Sequence, residues 1–113
     1  MGVTLQKLGQ LDSAVESYKK AITSNPEYTE AHNNLGLILQ NLGLMDEAII
    51  SYEKALAFKP DYIEAHNNLG NILLELRQLD DAVKSYEKVI AIKPDYAEAH
   101  NNLGATLQEL GQL

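Results

Sequence analysis

Apolar positions along this chain recur every three or four residues, the spacing of one helical face. Within 29–42 they are Ala31, Leu35, Ile38, Leu39 and Leu42, which share one stripe of a first helix. Beyond it Ala48, Ile49, Tyr52, Ala55 and Leu56 form the apolar face of a second. Gly43, between the two, predicts the left-handed residue that ends a helix. Asp46 sets a carboxylate at the start of the second helix, and Lys59 sets a cation near its end, each complementing the helix dipole. Pro60 stops that helix. Asp61-Tyr62-Ile63-Glu64 then has the form of a capping box, with Asp as the cap and Glu three residues on. Asp95 to Glu98 repeats it. Glu27 to Glu30 is a poorer version, because Glu is not a favoured N-cap.

The pattern repeats. Ala31-His32-Asn33-Asn34-Leu35-Gly36 returns as Ala65-His66-Asn67-Asn68-Leu69-Gly70 and as Ala99-His100-Asn101-Asn102-Leu103-Gly104, a period of 34 residues. All three prolines obey it (Pro26, Pro60, Pro94), and all six tyrosines fall into two series, Tyr18, Tyr52, Tyr86 and Tyr28, Tyr62, Tyr96. Self-similarity at such a period is the mark of stacked helical hairpins, each covering its neighbour's apolar face. The expected organisation is a single array over 1–113: a partial repeat at 1–28, full repeats at 29–62 and 63–96, and the first helix of a further repeat at 97–113. Gly2 aligns with Gly36 and Leu113 with Met45, so seven helical segments are expected, the first a short stub. On this reading the chain is a fragment of a longer array.

This arrangement resembles the tetratricopeptide repeat family over the whole chain. His32, Leu35, Gly36, Leu39, Ala48, Tyr52 and Pro60 carry the resemblance in one repeat. The departures are His where the family often has Trp, Leu where it often has Tyr, and Arg77 where Gly9, Gly43 and Gly111 fill the equivalent turn positions. The resemblance implies an all-α, right-handed superhelical solenoid of antiparallel helix pairs. It also implies a protein–protein interaction scaffold that binds an extended or helical peptide on a concave face lined by first helices.

Charge and composition narrow the partners. Sixteen acidic residues against nine basic give a net charge of −7. Nucleic-acid binding needs clustered Lys and Arg, and anionic membranes attract the same residues. Cysteine is absent, so there is no disulfide or thiol chemistry. No signal peptide or membrane-spanning stretch is visible, which fits a cytoplasmic protein.

Three equally spaced histidines invite a metal site, but equivalent residues on stacked helices lie roughly 8–10 Å apart. Zinc needs each imidazole nitrogen about 2 Å from one ion. His32, His66 and His100 are therefore read as packing residues. No phosphate loop, nucleophile elbow or Ser–His pair is present, so the chain reads as a non-enzyme that needs no cofactor.

The asparagine pairs stand out. Asn33-Asn34, Asn67-Asn68 and Asn101-Asn102 sit inside first helices although Asn is a mediocre helix former. A side-chain amide donates and accepts, which suits a peptide main chain. Asn34, Asn68 and Asn102 are similar to the asparagine ladder in the superhelix of O-linked N-acetylglucosamine transferases, which clasps an extended peptide main chain. The alternative is that these amides bond between neighbouring repeats, bond to their own helix or face water. Leu37, Gln40 and Asn41, then Asn71, Leu74 and Glu75, then Ala105, Gln108 and Glu109 complete the expected peptide-binding face. It differs from the carboxylate-clamp subfamily, because Glu30, Asn33 and Asn34 stand where that clamp's basic residues would be sought. Two further readings remain: a substrate-docking arm of a larger enzyme such as a glycosyltransferase, and a self-assembling module. Residues 1–11 and 103–113 agree at 8 of 11 positions, which points to weak head-to-tail association.

Overall fold

Helical hydrogen bonding takes up nearly every segment that the apolar stripes single out. The structure, a computed structural model, describes residues 5–112. The expected match of Gly2 to Gly36 lies outside the described residues. The described residues form α1 (Leu5–Ser24), α2 (Thr29–Asn41), α3 (Met45–Phe58), α4 (Ile63–Glu75), α5 (Leu79–Ile92) and α6 (Ala97–Leu110). They contain no strand, as the all-α class requires. None of these helices is long and apolar enough to cross a membrane. The chain divides into two compact units, Met1–Pro60 and Asp61–Leu113. In the first, α2 packs on both α1 and α3; in the second, α5 packs on both α4 and α6.

Tight turns close the pairs α2–α3 and α4–α5. Gly43 has φ 81° and Arg77 has φ 64°. After α2 the Gly43 N–H donates to the Gln40 carbonyl at 3.0 Å and the Leu44 N–H to the Leu39 carbonyl at 2.9 Å. After α4 the Arg77 N–H donates to Leu74 at 3.0 Å and the Gln78 N–H to Leu73 at 2.8 Å. These are the paired bonds of a Schellman cap, which satisfy carbonyls that the helix end would otherwise leave open. Arg77 adopts the left-handed conformation without glycine's freedom, and its guanidinium pairs with the exposed Glu109 carboxylate.

Three expectations need correction. The stub and the second helix of the first repeat are one continuous helix, α1, with Gly9 inside it. Unbroken i→i−4 bonding through Gly9 takes the place of the expected turn. Gly111, the other glycine aligned with Gly43, has φ −67°. The capping boxes do not form either. The N-caps of α2, α4 and α6 are Tyr28, Tyr62 and Tyr96, in extended backbone, with no side-chain cap bond. A turn closes from the Tyr28 N–H to Asn25 at 3.0 Å and from the Tyr96 N–H to Lys93 at 3.1 Å. In the turn before α6, Pro94 and Asp95 occupy the centre, which puts the aspartate one residue too early to cap. Glu64 and Glu98 remain in the first turns, where they complement the dipole.

The core consists of small and ring-bearing residues at repeat-equivalent positions. Ala48, Tyr52 and Ala55 in α3, and Ala82, Tyr86 and Val89 in α5, are each fully buried. Each ring lies against a glycine of the preceding first helix. A Cβ on Gly36 would stand 2.6 Å from the Tyr52 ring, and one on Gly70 would stand 2.7 Å from the Tyr86 ring. Gly104 and Gly9 have nothing within 4 Å of the same position. Burial raises the pKa of the Tyr52 hydroxyl above the ordinary tyrosine range, and burial plus the Glu98 charge pushes that of Tyr86 up to about 12.

Three predictions follow from this packing. Gly36→Ala should destabilise the protein by roughly 1–3 kcal/mol through overpacking against Tyr52. Gly9→Ala and Gly104→Ala should each stabilise it by about 0.5–1 kcal/mol, since only helix propensity changes. Thermal midpoints of the three variants compare them directly, and a Gly36→Ala protein as stable as wild type would refute the close approach. At Arg77 the left-handed strain of roughly 1 kcal/mol opposes an exposed ion pair worth roughly 0–1 kcal/mol. In a Glu109→Ala background, where the ion pair is already gone, Arg77→Gly should therefore raise stability by about 1 kcal/mol; no gain there would mean that the strain is absent. The raised tyrosine pKa values predict stability that holds below the unfolded value near 10 and falls as pH rises from there through about 12. Urea midpoints across that range should show the decline, and Tyr86→Phe should lessen its slope.

Candidate functional site

Residues three, four and seven apart share one side of a helix, so the expected binding residues fall into stripes. On α2, Asn34, Leu37 and Asn41 form one such stripe, with Gln40 beside it. On α4 the counterparts are Asn68, Asn71 and Glu75, with Leu74. On α6 they are Asn102, Ala105 and Glu109, with Gln108. Asn34, Asn68 and Asn102 are each half-buried. Leu37, Asn41, Glu75, Ala105 and Gln108 are exposed, whereas Gln40, Asn71, Leu74 and Glu109 are half-buried.

The paired asparagines separate in role. Asn33 and Asn67, two of the expected peptide-binding residues, are only 4% and 5% exposed. Asn67 lies one position closer to the apolar stripe, and its Nδ2 donates to Glu98 Oε2 at 3.3 Å. Its Oδ1 is buried without a hydrogen-bond partner. Asn101, at the same repeat position on α6, is exposed.

The buried tyrosines reach two of the candidate residues from the core. Tyr52 Oη donates to Gln40 Oε1 at 2.8 Å. Tyr86 Oη donates to Asn71 Oδ1 at 2.6 Å, and the same oxygen accepts from Asn102 Nδ2 at 3.2 Å. A chain of polar contacts thus runs from α5 through α4 to α6 and fixes the Asn102 amide with its nitrogen turned inward. Thr106, fully buried, donates to the Asn102 carbonyl at 2.7 Å. The sequence reading used these tyrosines only as packing residues. Their strict 34-residue register was the available signal, because a buried hydroxyl needs an acceptor.

Two of the histidines are tied to the loops. His32 Nε2–H donates to the Pro26 carbonyl at 2.9 Å, and His100 Nε2–H to the Pro94 carbonyl at 2.6 Å. The His32 ring also stacks on Phe58, with centroids 5.7 Å apart. Among the described residues, no three of His, Cys, Asp or Glu are grouped to hold a metal. Tyr96 shows how acidic the start of α6 is. Its pKa is raised by burial, by the charges of Glu98 and Glu64, and by a hydrogen bond to Glu98.

Comparison with known proteins agrees with this architecture. A family model described as TPR repeat matches residues 3–43, 45–76 and 70–111, and one described as tetratricopeptide repeat matches 30–59. No curated protein matches the chain. Among solved structures, the first TPR of Spaghetti (RPAP3) bound to the HSP90 peptide SRMEEVD is 28% identical, over 93% of this chain and 83% of that one, with a TM-score of 0.87. The first TPR domain of human RPAP3 is 27% identical over 94% and 84%, also with a TM-score of 0.87. A mutant O-GlcNAc transferase of Thermobaculum terrenum is 27% identical over 90% of this chain, which spans only 20% of the enzyme, with a TM-score of 0.80. With family matches along nearly its whole length and helix pairs recurring every 34 residues, the chain belongs to the tetratricopeptide repeat family.

Proposed function

We propose that the protein is an interaction scaffold whose first helices bind a peptide segment of a partner protein. The observation that carries this reading is the recurrence of half-buried Asn34, Asn68 and Asn102 at one register of α2, α4 and α6. Asparagine lowers helix propensity at each site, and an amide at each step matches the alternating donors and acceptors of an extended main chain. Leu37 and Leu74 supply apolar contact, and Gln40, Asn41, Asn71, Glu75, Ala105, Gln108 and Glu109 the remaining surface. A TPR neighbour binds the HSP90 peptide SRMEEVD, which supports a peptide ligand as a class. The carboxylates Glu30, Glu64 and Glu98 disfavour so acidic a sequence here, since like charges repel.

A second reading, in which the module docks substrate for a larger enzyme, is favoured by the similarity to the O-GlcNAc transferase. A catalytic domain encoded in the same reading frame would establish it.

The test is a peptide selected from a random display library against the protein, titrated calorimetrically into wild type and into the Asn34→Ala, Asn68→Ala, Asn102→Ala triple variant. Three lost hydrogen bonds at about 0.5–1.5 kcal/mol each predict a fall in affinity of roughly tenfold to a thousandfold. Stability should stay within about 1 kcal/mol of wild type, because alanine's better propensity offsets the lost Asn102–Asn71 bond. Unchanged affinity, or substantial unfolding of the triple variant, would show that the amides are structural.

A further inference from the structure

Within the first unit, a cavity of about 230 Å³ lies between α1 and the start of α2, walled in part by Tyr18, Ala21, Tyr28, Glu30, Ala31 and Asn34. It is smaller than the roughly 300–1,000 Å³ of small-molecule sites, but wide enough for a single side chain. Its chemistry is one carboxylate, one amide, the Ser17 hydroxyl and two tyrosine rings over an alanine floor. Tyr28 is 43% exposed, so the cavity is open to solvent. Glu30 forms no ion pair among the described residues.

The second unit contains the same constellation one step altered. Moving two periods along the chain turns Tyr18, Tyr28, Glu30, Ala31 and Asn34 into Tyr86, Tyr96, Glu98, Ala99 and Asn102. Only the floor differs, with Val89 in place of Ala21, and Val89 is fully buried. There the Lys93 ammonium sits 5.7 Å from the centre of the Tyr96 ring. A cation over a tyrosine face is attracted by the ring quadrupole, and the charges of Glu98 and Glu64 reach the same tyrosine. The residue equivalent to Lys93 in the first unit is Asn25, which carries no charge. The first unit thus has the acid and the aromatic walls, has alanine where the second has valine, and lacks the internal cation.

We propose that this cavity takes the basic side chain, lysine or arginine, of a bound peptide. The ammonium or guanidinium pairs with Glu30 and lies against Tyr28 and Tyr18, while the Asn34 amide is placed to meet the adjoining main chain. The full charge of Glu30 outweighs the half-charge of the α2 N-terminus beside it. The net charge of −7 favours approach of such a partner. This assignment rests on the peptide-binding reading and adds to it the chemical class of the ligand.

The test is amide-resolved NMR titration of the full chain with acetyl-Gly-Lys-Gly-amide, its acetyl-lysine counterpart and n-butylammonium. Expected are saturable shifts at Glu30, Ala31 and Asn34 with the lysine peptide, at least about tenfold weaker when the lysine is acetylated or when Glu30→Gln is introduced. Asn25→Lys, which restores the internal cation of the second unit, should weaken binding by a similar factor. Circular dichroism confirms that both variants keep their helices. Equal binding of the acetylated peptide, or indifference to both substitutions, would overturn the proposal. So would n-butylammonium binding as tightly as the peptide, because the site would then take a free amine. Shifts confined to Asn68 and Asn102, equal for both peptides, would remove the cation pocket and leave the main-chain reading intact. Lysine-dependent shifts confined to the cavity would keep the pocket and count against the amide ladder.

Discussion

The close approach of a tyrosine ring to a glycine backbone organises each helix pair. Tyr52 lies where a side chain of Gly36 would stand, and Tyr86 does the same at Gly70. Two helices can come this near only if one of them lacks a Cβ at the crossing and the other supplies a flat ring. The alanines on either side, Ala48 and Ala55 around Tyr52, keep the second helix close enough for the ring to reach. A repeat unit too small to bury an apolar face alone is thereby held by one large side chain and several small ones.

The same ring connects the core to the polar residues of the first helix. Because it crosses the pair, its hydroxyl emerges beside first-helix residues, at Gln40 in one unit and at Asn71 in the other. Phenylalanine would fill the same space and leave those amides without a donor behind them. The hydroxyl also limits how the amides can turn, as the Tyr86–Asn71–Asn102 chain shows, and an amide that cannot rotate freely loses less entropy when a ligand binds. Asn67 shows the opposite case. Its burial beside Glu98 leaves one acceptor without a donor, a polar group spent on packing rather than display.

The repeat units differ from one another at single positions. Asn71, whose oxygen accepts from Asn102, has Leu37 and Ala105 as its repeat counterparts. Arg77 replaces a turn glycine and gains Glu109 as a partner. Ala21, in the cavity wall, and Asn25, near it in sequence, stand where the second unit has Val89 and Lys93. A shared backbone fixes where each side chain emerges, and single substitutions then decide what each unit can hold.

Sequence alone was sufficient for the all-α class, the 34-residue period, the identity of both apolar stripes and the left-handed turn at Gly43, whereas the positive φ of Arg77 came from the structure. These are local or periodic properties, and a helix face or a turn glycine depends on few residues near it. The tertiary structure decided matters that depend on which groups meet. It joined the first stub to α1 in one run of continuous helical bonding through Gly9. It moved the N-caps from Asp61 and Asp95 to Tyr62 and Tyr96, because the helices begin one residue later than the capping-box pattern implied. It buried Asn33 and Asn67 while leaving Asn34, Asn68 and Asn102 within reach of solvent, a difference of one helical position that sequence period cannot resolve. It also placed the cavity beside Glu30, since that depends on Tyr18 of α1 and Tyr28 just before α2, ten residues apart in sequence, lining one space.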